Sequence, residues 1–389
     1  MTHPKALFLI AILSFPLTNA HADRKWNEDN DPRNLDGSYI MDFNRLPLSG
    51  GIAADSKRGW ADSYWPTING SIANRWQVSL NYDKKGKNPT YNEINNMSDS
   101  QLDLLSPAEK FDLARGKLNF PIASEIRKNY KSNGKDWHGI CNGWTHSSLN
   151  YDEPRAIVYV SPTTKKKIPF GSSDIKGLLA YYHAFMDDSG AKFIGKSCRP
   201  GSKVLFNLNG ACTDVHAAAF HIMMTNELGI KHQGFAADRD PGVEVWNQPF
   251  VKYESRIDDI KTSKFSHKAT EGTRKEVYIT STVSYVDELY DTLDADLETA
   301  DHVKPSYQPV LGTEKQRLIP VEYKYVIELD SRDRIIGGEW ISADRPDLIW
   351  RQDFRAPGMA ADDKGKPDDW SMLTDIVKMA TSAIPANEP

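Results

Sequence analysis

The chain has 389 residues, a formal charge of −5 and 26% charged residues. That length allows one large domain or two small ones, and the composition is that of an ordinary globular protein. No basic stripe interleaved with aromatics is present, which excludes nucleic acid from the expected partners.

The N-terminus carries Lys5, an apolar run from Ala6 to Leu17 and then Ala20-His21-Ala22. One positive charge, a short apolar core and small residues at the two positions read by signal peptidase predict a signal peptide over residues 1–22. The run is short for a bilayer, which needs about 20 apolar residues. No later stretch is apolar enough to span, so no membrane span is expected after cleavage, and the mature chain is expected to be secreted or periplasmic.

Residues 23–45 are polar, and residues 46–80 are loop-like but aromatic, with Trp60, Trp65 and Trp76. Residues 23–100 therefore read as an extension that packs on a body. Ser106-Pro107-Ala-Glu109 is a capping box with proline at the first helical position, predicting a helix over 106–114. A second helix is predicted to begin at Cys141, and a strand at Arg155 to Val160. Ser173 to Met186 has a serine cap and apolar residues at helical spacing. Asp214 to Leu228 reads as a helix capped by Asp214 and stopped by Gly229. Residues 276–286, 321–329 and 334–342 are rich in Val, Ile, Tyr and Thr. The last two flank Asp330-Ser-Arg-Asp333, a hairpin turn. Helices first and strands later predict an α+β body over residues 101–357, followed by a C-terminal tail, 358–389.

Three cysteines occur: Cys141, Cys198 and Cys212. An odd number in an exported protein leaves one thiol over, either inert or nucleophilic. Cys141 follows a glycine loop at a helix start, where free amides and the helix dipole stabilise a thiolate. A base and an orienting group complete such a site. His138 and His146 are near Cys141 in sequence but read as surrounding residues. His216 and His221 lie on the later helix, and the apolar neighbours of His221 turn it inward. Asp238 ends the apolar segment that follows, with Asp240 as its rival, so a Cys141, His221, Asp238 order is available.

His216 and His221 are five apart and no Cys-x-x-Cys occurs, which argues against zinc. No cofactor is read from the residues. Calcium stays open through Asp238-Arg-Asp240 and the acidic run from Asp287 to Asp301, although the calcium-loop pattern is absent.

Ser63-Tyr-Trp-Pro66, Ser106 to Asp112, Trp137-His-Gly-Ile-Cys-Asn-Gly-Trp144, Phe193-Ile-Gly195 with Cys198, Asp214 to His221 with Asn226 to Gly229, Val245-Trp-Asn-Gln-Pro249, Tyr325 to Asp330 and Ile335 to Trp340 occur in this order. In these runs the chain resembles the transglutaminase elicitor family. The resemblance implies a papain-like, transglutaminase-like core and acyl transfer from protein glutamine to a primary amine (a lysine or a small amine). Position by position it implies Cys141 as nucleophile, His221 as base and Asp238 as orienting acid. It also implies a Cys198–Cys212 disulfide and marks Val245 onward as the segment perceived by plants. The chain departs from the family at His216-Ala-Ala-Ala and at Asp238-Arg-Asp240. Trp137, Trp144 and Trp246 stand beside the proposed chemistry and suggest an aromatic-walled cleft. The alternatives are a cysteine protease or glutamine deamidase on the same triad, and a non-catalytic secreted elicitor or adhesin that keeps the fold.

Overall fold

The computed structural model describes residues 26–54, 56–76, 87–128, 135, 137–186, 190–196, 214–239, 244–266, 268–288, 318–361 and 367–382. The predicted signal peptide, Cys198, Cys212, Asp240 and the acidic run beyond Glu288 lie outside these residues.

Among the described residues seven helices make the first layer, α1 (Tyr91–Asn96), α2 (Asp99–Asp103), α3 (Pro107–Ala114), α4 (Pro121–Lys128), α5 (Cys141–Asn150), α6 (Ser172–Phe185) and α8 (Ser371–Thr381), with the small hairpin of β2 (Ile157–Val160) and β3 (Lys167–Phe170) packed on them. The capping box of α3 forms as its sequence dictates. Ser106 Oγ accepts from Glu109 N at 3.2 Å and Glu109 Oε2 accepts from Ser106 N at 3.0 Å. Helix α6 starts one residue earlier than predicted. Its cap is Gly171, whose N–H donates to Asp174 Oδ2 at 2.7 Å, so an acid at the third position replaces the serine cap.

The second layer is an antiparallel sheet. Its strands are β1 (Ser49–Gly51), β4 (Lys192–Gly195), β5 (Phe235–Asp238), β6 (Asn247–Lys261), β7 (Lys275–Val286), β8 (Leu318–Leu329), β9 (Ile335–Trp340) and β10 (Leu348–Arg351). They run in the order β4-β10-β5-β6-β7-β8-β9, with β1 beside β6. The predicted turn between β8 and β9 forms because Asp330 Oδ1 accepts from the backbone N–H groups of Arg332 and Arg334. The fold is α+β as predicted, with most helices ahead of the long antiparallel strands but with β1 and β4 early in the chain and α8 after the last strand of the sheet.

The two faces of the sheet bury different cores. Phe235, Ala237, Phe250, Val277, Ile279, Val283, Tyr323, Tyr325 and Ile327 point to one face. There they meet helix α7 (Ala217–Met224) and the N-terminal residues Leu35, Tyr39 and Leu46. Strand alternation turns Asp238 and its register partner Asn247 to the other face, toward α5.

Helix α7 is shorter than the predicted 214–228. Asp214 does not cap it, because its carboxylate pairs with Arg345 at 2.5 Å. His216 caps instead, its Nδ1 accepting from Ala218 N at 3.2 Å, and after Met224 the backbone widens into a π-turn over Thr225–Ile230.

The extension and the tail both enter the helical core. Trp65 and Trp76 pack edge to face with ring centres 5.7 Å apart, and their indole N–H groups donate to the buried carboxylates of Asp62 and Asp174. From α8 and the residue before it, Leu373, Ile376 and Trp370 are buried, with the Trp370 ring stacked 5.0 Å from Phe111.

Candidate active site around Cys141

Cys141 is the first residue of α5, and three neighbours fix where that helix begins. Ile140 N donates to Tyr64 O at 2.8 Å, and Gly139 lies so close to the Tyr64 carbonyl that any Cβ would collide with it. Two residues on, Gly143 meets the Ala180 carbonyl of α6 with no room for a side chain. Thr145 Oγ1 donates to Asn247 O at 2.9 Å and ties the helix to β6. The Cys-Asn-Gly-Trp run is thereby explained. The glycine brings two backbones together, and Trp144 fills the core, donating from its ring nitrogen to Trp60 O at 3.3 Å.

The thiol is covered by the start of β6. Cys141 Sγ lies 3.8 Å from Val245 O, to which it donates weakly, and 3.8 Å from Asn247 Nδ2, from which it accepts. The backbone N–H groups of Asn142 and Asn247 also point at the sulfur. These donors favour the thiolate, as the helix start predicts. Burial outweighs them, with a further push from the Glu288 carboxylate, and the thiol is pushed up to about 11. The lowered thiol pKa expected from the helix terminus is therefore not what this arrangement produces.

Asp238 comes to the same place. It pairs across the β5–β6 ladder with Asn247, and its Oδ1 accepts from Trp246 N at 3.0 Å. It thereby holds the segment that covers the thiol. Glu288, just past β7, accepts from Gln248 Nε2 at 3.0 Å, and burial pushes its carboxyl up to about 7.

His221 is not brought to Cys141. It belongs to α7 on the opposite face of the sheet, where its Nδ1 shares a 2.8 Å hydrogen bond with Tyr325 OH and its ring lies 5.9 Å from that of Phe43. Burial pushes it down to about 3, so it is neutral at physiological pH. The apolar neighbours that suggested an inward-facing histidine are real, but they face the other core. His138 contributes its carbonyl to Thr67 N, and His146 lies farther along α5, its ring 4.4 Å from that of His183.

Of the three tryptophans expected in a cleft wall, Trp144 is wholly buried and serves the core. Trp246 is half-buried, its ring 6.4 Å from Tyr64 in an edge-to-face contact, and Trp137 sits against His138. Among the described residues no group of three His, Cys, Asp or Glu could hold a metal ion, and no helix is long and apolar enough to cross a membrane.

Residue-by-residue reasoning did not single out Asn247, Trp350 or Glu288. Trp350 Nε1 donates to Asn247 Oδ1 at 2.8 Å. The Val-Trp-Asn-Gln-Pro run was the available signal for Asn247. Nothing in the sequence points to Trp350, which reaches the site only because β10 pairs with β5.

The model of the transglutaminase elicitor family matches residues 126–362, more than half of the chain. A search of curated proteins finds no match. Among solved structures, the GP42 transglutaminase from Phytophthora sojae is similar in fold. The TM-score is 0.62 at 19% identity, over 92% of this chain and 98% of that one. By its sequence match and its α+β architecture, the chain belongs to the transglutaminase elicitor family.

Proposed function

We propose that this protein is an exported protein-glutamine γ-glutamyltransferase that works through a thioester on Cys141. The observation that carries the reading is the thiol at the head of α5, surrounded by hydrogen-bond donors from Asn142 and Asn247. Sγ attacks the carboxamide carbon of a substrate glutamine. The S–C bond forms, the C–N bond breaks, and ammonia leaves with the proton that the thiol gave up. A primary amine then attacks the thioester carbon, the new C–N bond forms as the C–S bond breaks, and the proton the amine gives up returns to the sulfur.

An acid–base partner is needed on the thiol's side of the sheet, and His221 is not there. Glu288 acts on the thiol through its charge, which raises the thiol pKa. Asp238 keeps a structural share by anchoring Trp246. The substrates on this reading are proteins bearing glutamine, with lysine side chains or small amines as acceptors.

A second reading is favoured by one observation. The thiol is buried and held protonated, and no imidazole is in contact with it among the described interactions. A non-catalytic secreted elicitor that keeps the fold would look like this.

The test is incorporation of a tagged primary amine into a glutamine-rich protein by the mature chain, with and without calcium. Tagging that disappears in Cys141→Ala supports transfer. Peptide fragments without tag would make the protein a protease. Folded protein that does neither would leave the elicitor reading standing.

A further inference from the structure

An acyl transfer through a thioester passes a tetrahedral intermediate whose oxygen becomes negative, and donors must lie about 2.7–3.1 Å from that oxygen. One donor can come from the backbone at the start of α5. A second is commonly a side-chain amide, and the six residues before Cys141, Lys135 to Ile140, contain no Gln or Asn to supply it.

Asn247 supplies an amide at the thiol. Its Nδ2 is 3.8 Å from Cys141 Sγ, and its Oδ1 accepts from Trp350 Nε1 at 2.8 Å. The orientation of this amide is chemically determined. An indole N–H can only donate, so the atom facing Trp350 has to be the oxygen, and the NH2 group is turned toward the sulfur. Thr145 fixes the backbone of the same residue through Asn247 O. Trp350 is held on β10 by its pairing with Ala236 of β5, and its ring lies parallel to that of His146 at 6.1 Å. Asn247 is 7% exposed and Trp350 is 7% exposed, so bulk water does not compete for either bond.

We propose that Asn247 is a catalytic residue whose side-chain amide donates to the oxyanion formed at Cys141, and that Trp350 is the positioning residue that fixes the direction of that amide. The inference rests on Cys141 being the nucleophile. When Sγ bonds to the glutamine carboxamide carbon, the C=O electron pair moves onto oxygen, and that oxygen lies to the side of the Sγ–Nδ2 line, within reach of the Nδ2 amide. The pair returns when the C–N bond to ammonia breaks.

Two measurements on the mature full chain test this. The first is steady-state amine transfer. Asn247→Ala and Asn247→Asp are expected to lower kcat by about 10²–10³-fold with KM little changed, because the lost bond exists only in the transition state. Trp350→Phe keeps the ring, loses the N–H and lets the amide turn, so a smaller fall in kcat with unchanged KM is expected. Alkylation of Cys141 by iodoacetamide forms no oxyanion, so its rate in Trp350→Phe should change much less than kcat does. The second measurement needs no turnover. A glutaminyl peptide aldehyde adds the thiol across its C=O, the thiol proton going to oxygen, and the adduct should bind much more weakly to Asn247→Ala than to wild type. Retained transfer in Cys141→Ala would overturn the nucleophile reading and this inference with it. A Cys141→Ala variant that is inactive beside Asn247→Ala with wild-type kcat and aldehyde affinity would overturn this inference alone.

Discussion

His221 and Cys141 stand on opposite faces of one β-sheet: Cys141 packs on the face that carries Asp238 and Asn247, and His221 bonds to Tyr325 on the other. A histidine in that position is a stability element. Its ring stays neutral down to about pH 3, whereas an unfolded chain takes up a proton near 6.5. Below 6.5 the unfolded state binds more protons, so stability falls as pH drops from about 6.5 toward 3, by up to about 1.4 kcal/mol per pH unit. Urea unfolding at a series of pH values should show this slope, reduced by about one proton in His221→Gln. Turnover per folded molecule in that variant should stay close to wild type. Loss of all turnover in a folded His221→Gln protein would return the histidine to the active site.

The buried thiol sets a second expectation. With the Cys141 thiol pushed up to about 11, its alkylation should be slow at pH 8 and accelerate steadily as pH rises toward that value. Glu288 contributes to the push through its negative charge. Glu288→Gln should therefore alkylate faster than wild type at pH 8. An alkylation rate that peaks at neutral pH would contradict the buried geometry.

Gly143 sits where α5 and α6 touch, and a methyl group there would run into the Ala180 carbonyl. Gly143→Ala is expected to destabilise the fold by about 1–3 kcal/mol, the usual cost of overpacking. It should also reduce transfer, because the helix carrying Cys141 has to move. Chemical denaturation and the transfer assay measure the two effects separately.

Trp65 tests whether the N-terminal segment is part of the folded body. It is 6% exposed, bonded to Asp62 and packed on Gly177 of α6. Trp65→Ala should cost about 3–5 kcal/mol, as for a large core aromatic. A change below about 1 kcal/mol would mark residues 46–76 as a loose appendage, since substitutions outside the core usually have small effects.

Local signals carried much of the architecture. The capping box at Ser106, the aspartate turn at Asp330 and the β-rich runs on either side of it each specify their element through hydrogen bonds within a few residues. Their outcome needs no knowledge of the rest of the chain. Cys141 at a helix start and Asp238 at a strand end were legible for the same reason. The direction of the Cys141 pKa shift was not, because a helix terminus is local but burial is not. Which face of the sheet His221 would meet was equally hidden. An inward-facing histidine has the same apolar neighbours in either core, and only the packing of α7 on β8 and β9 decides between them. Trp350 and Asn247 are about a hundred residues apart and meet through the pairing of β10 with β5 and β5 with β6. Strand order is a property of the assembled sheet, so the sequence alone determined the elements and the thiol, and the tertiary structure decided what surrounds it.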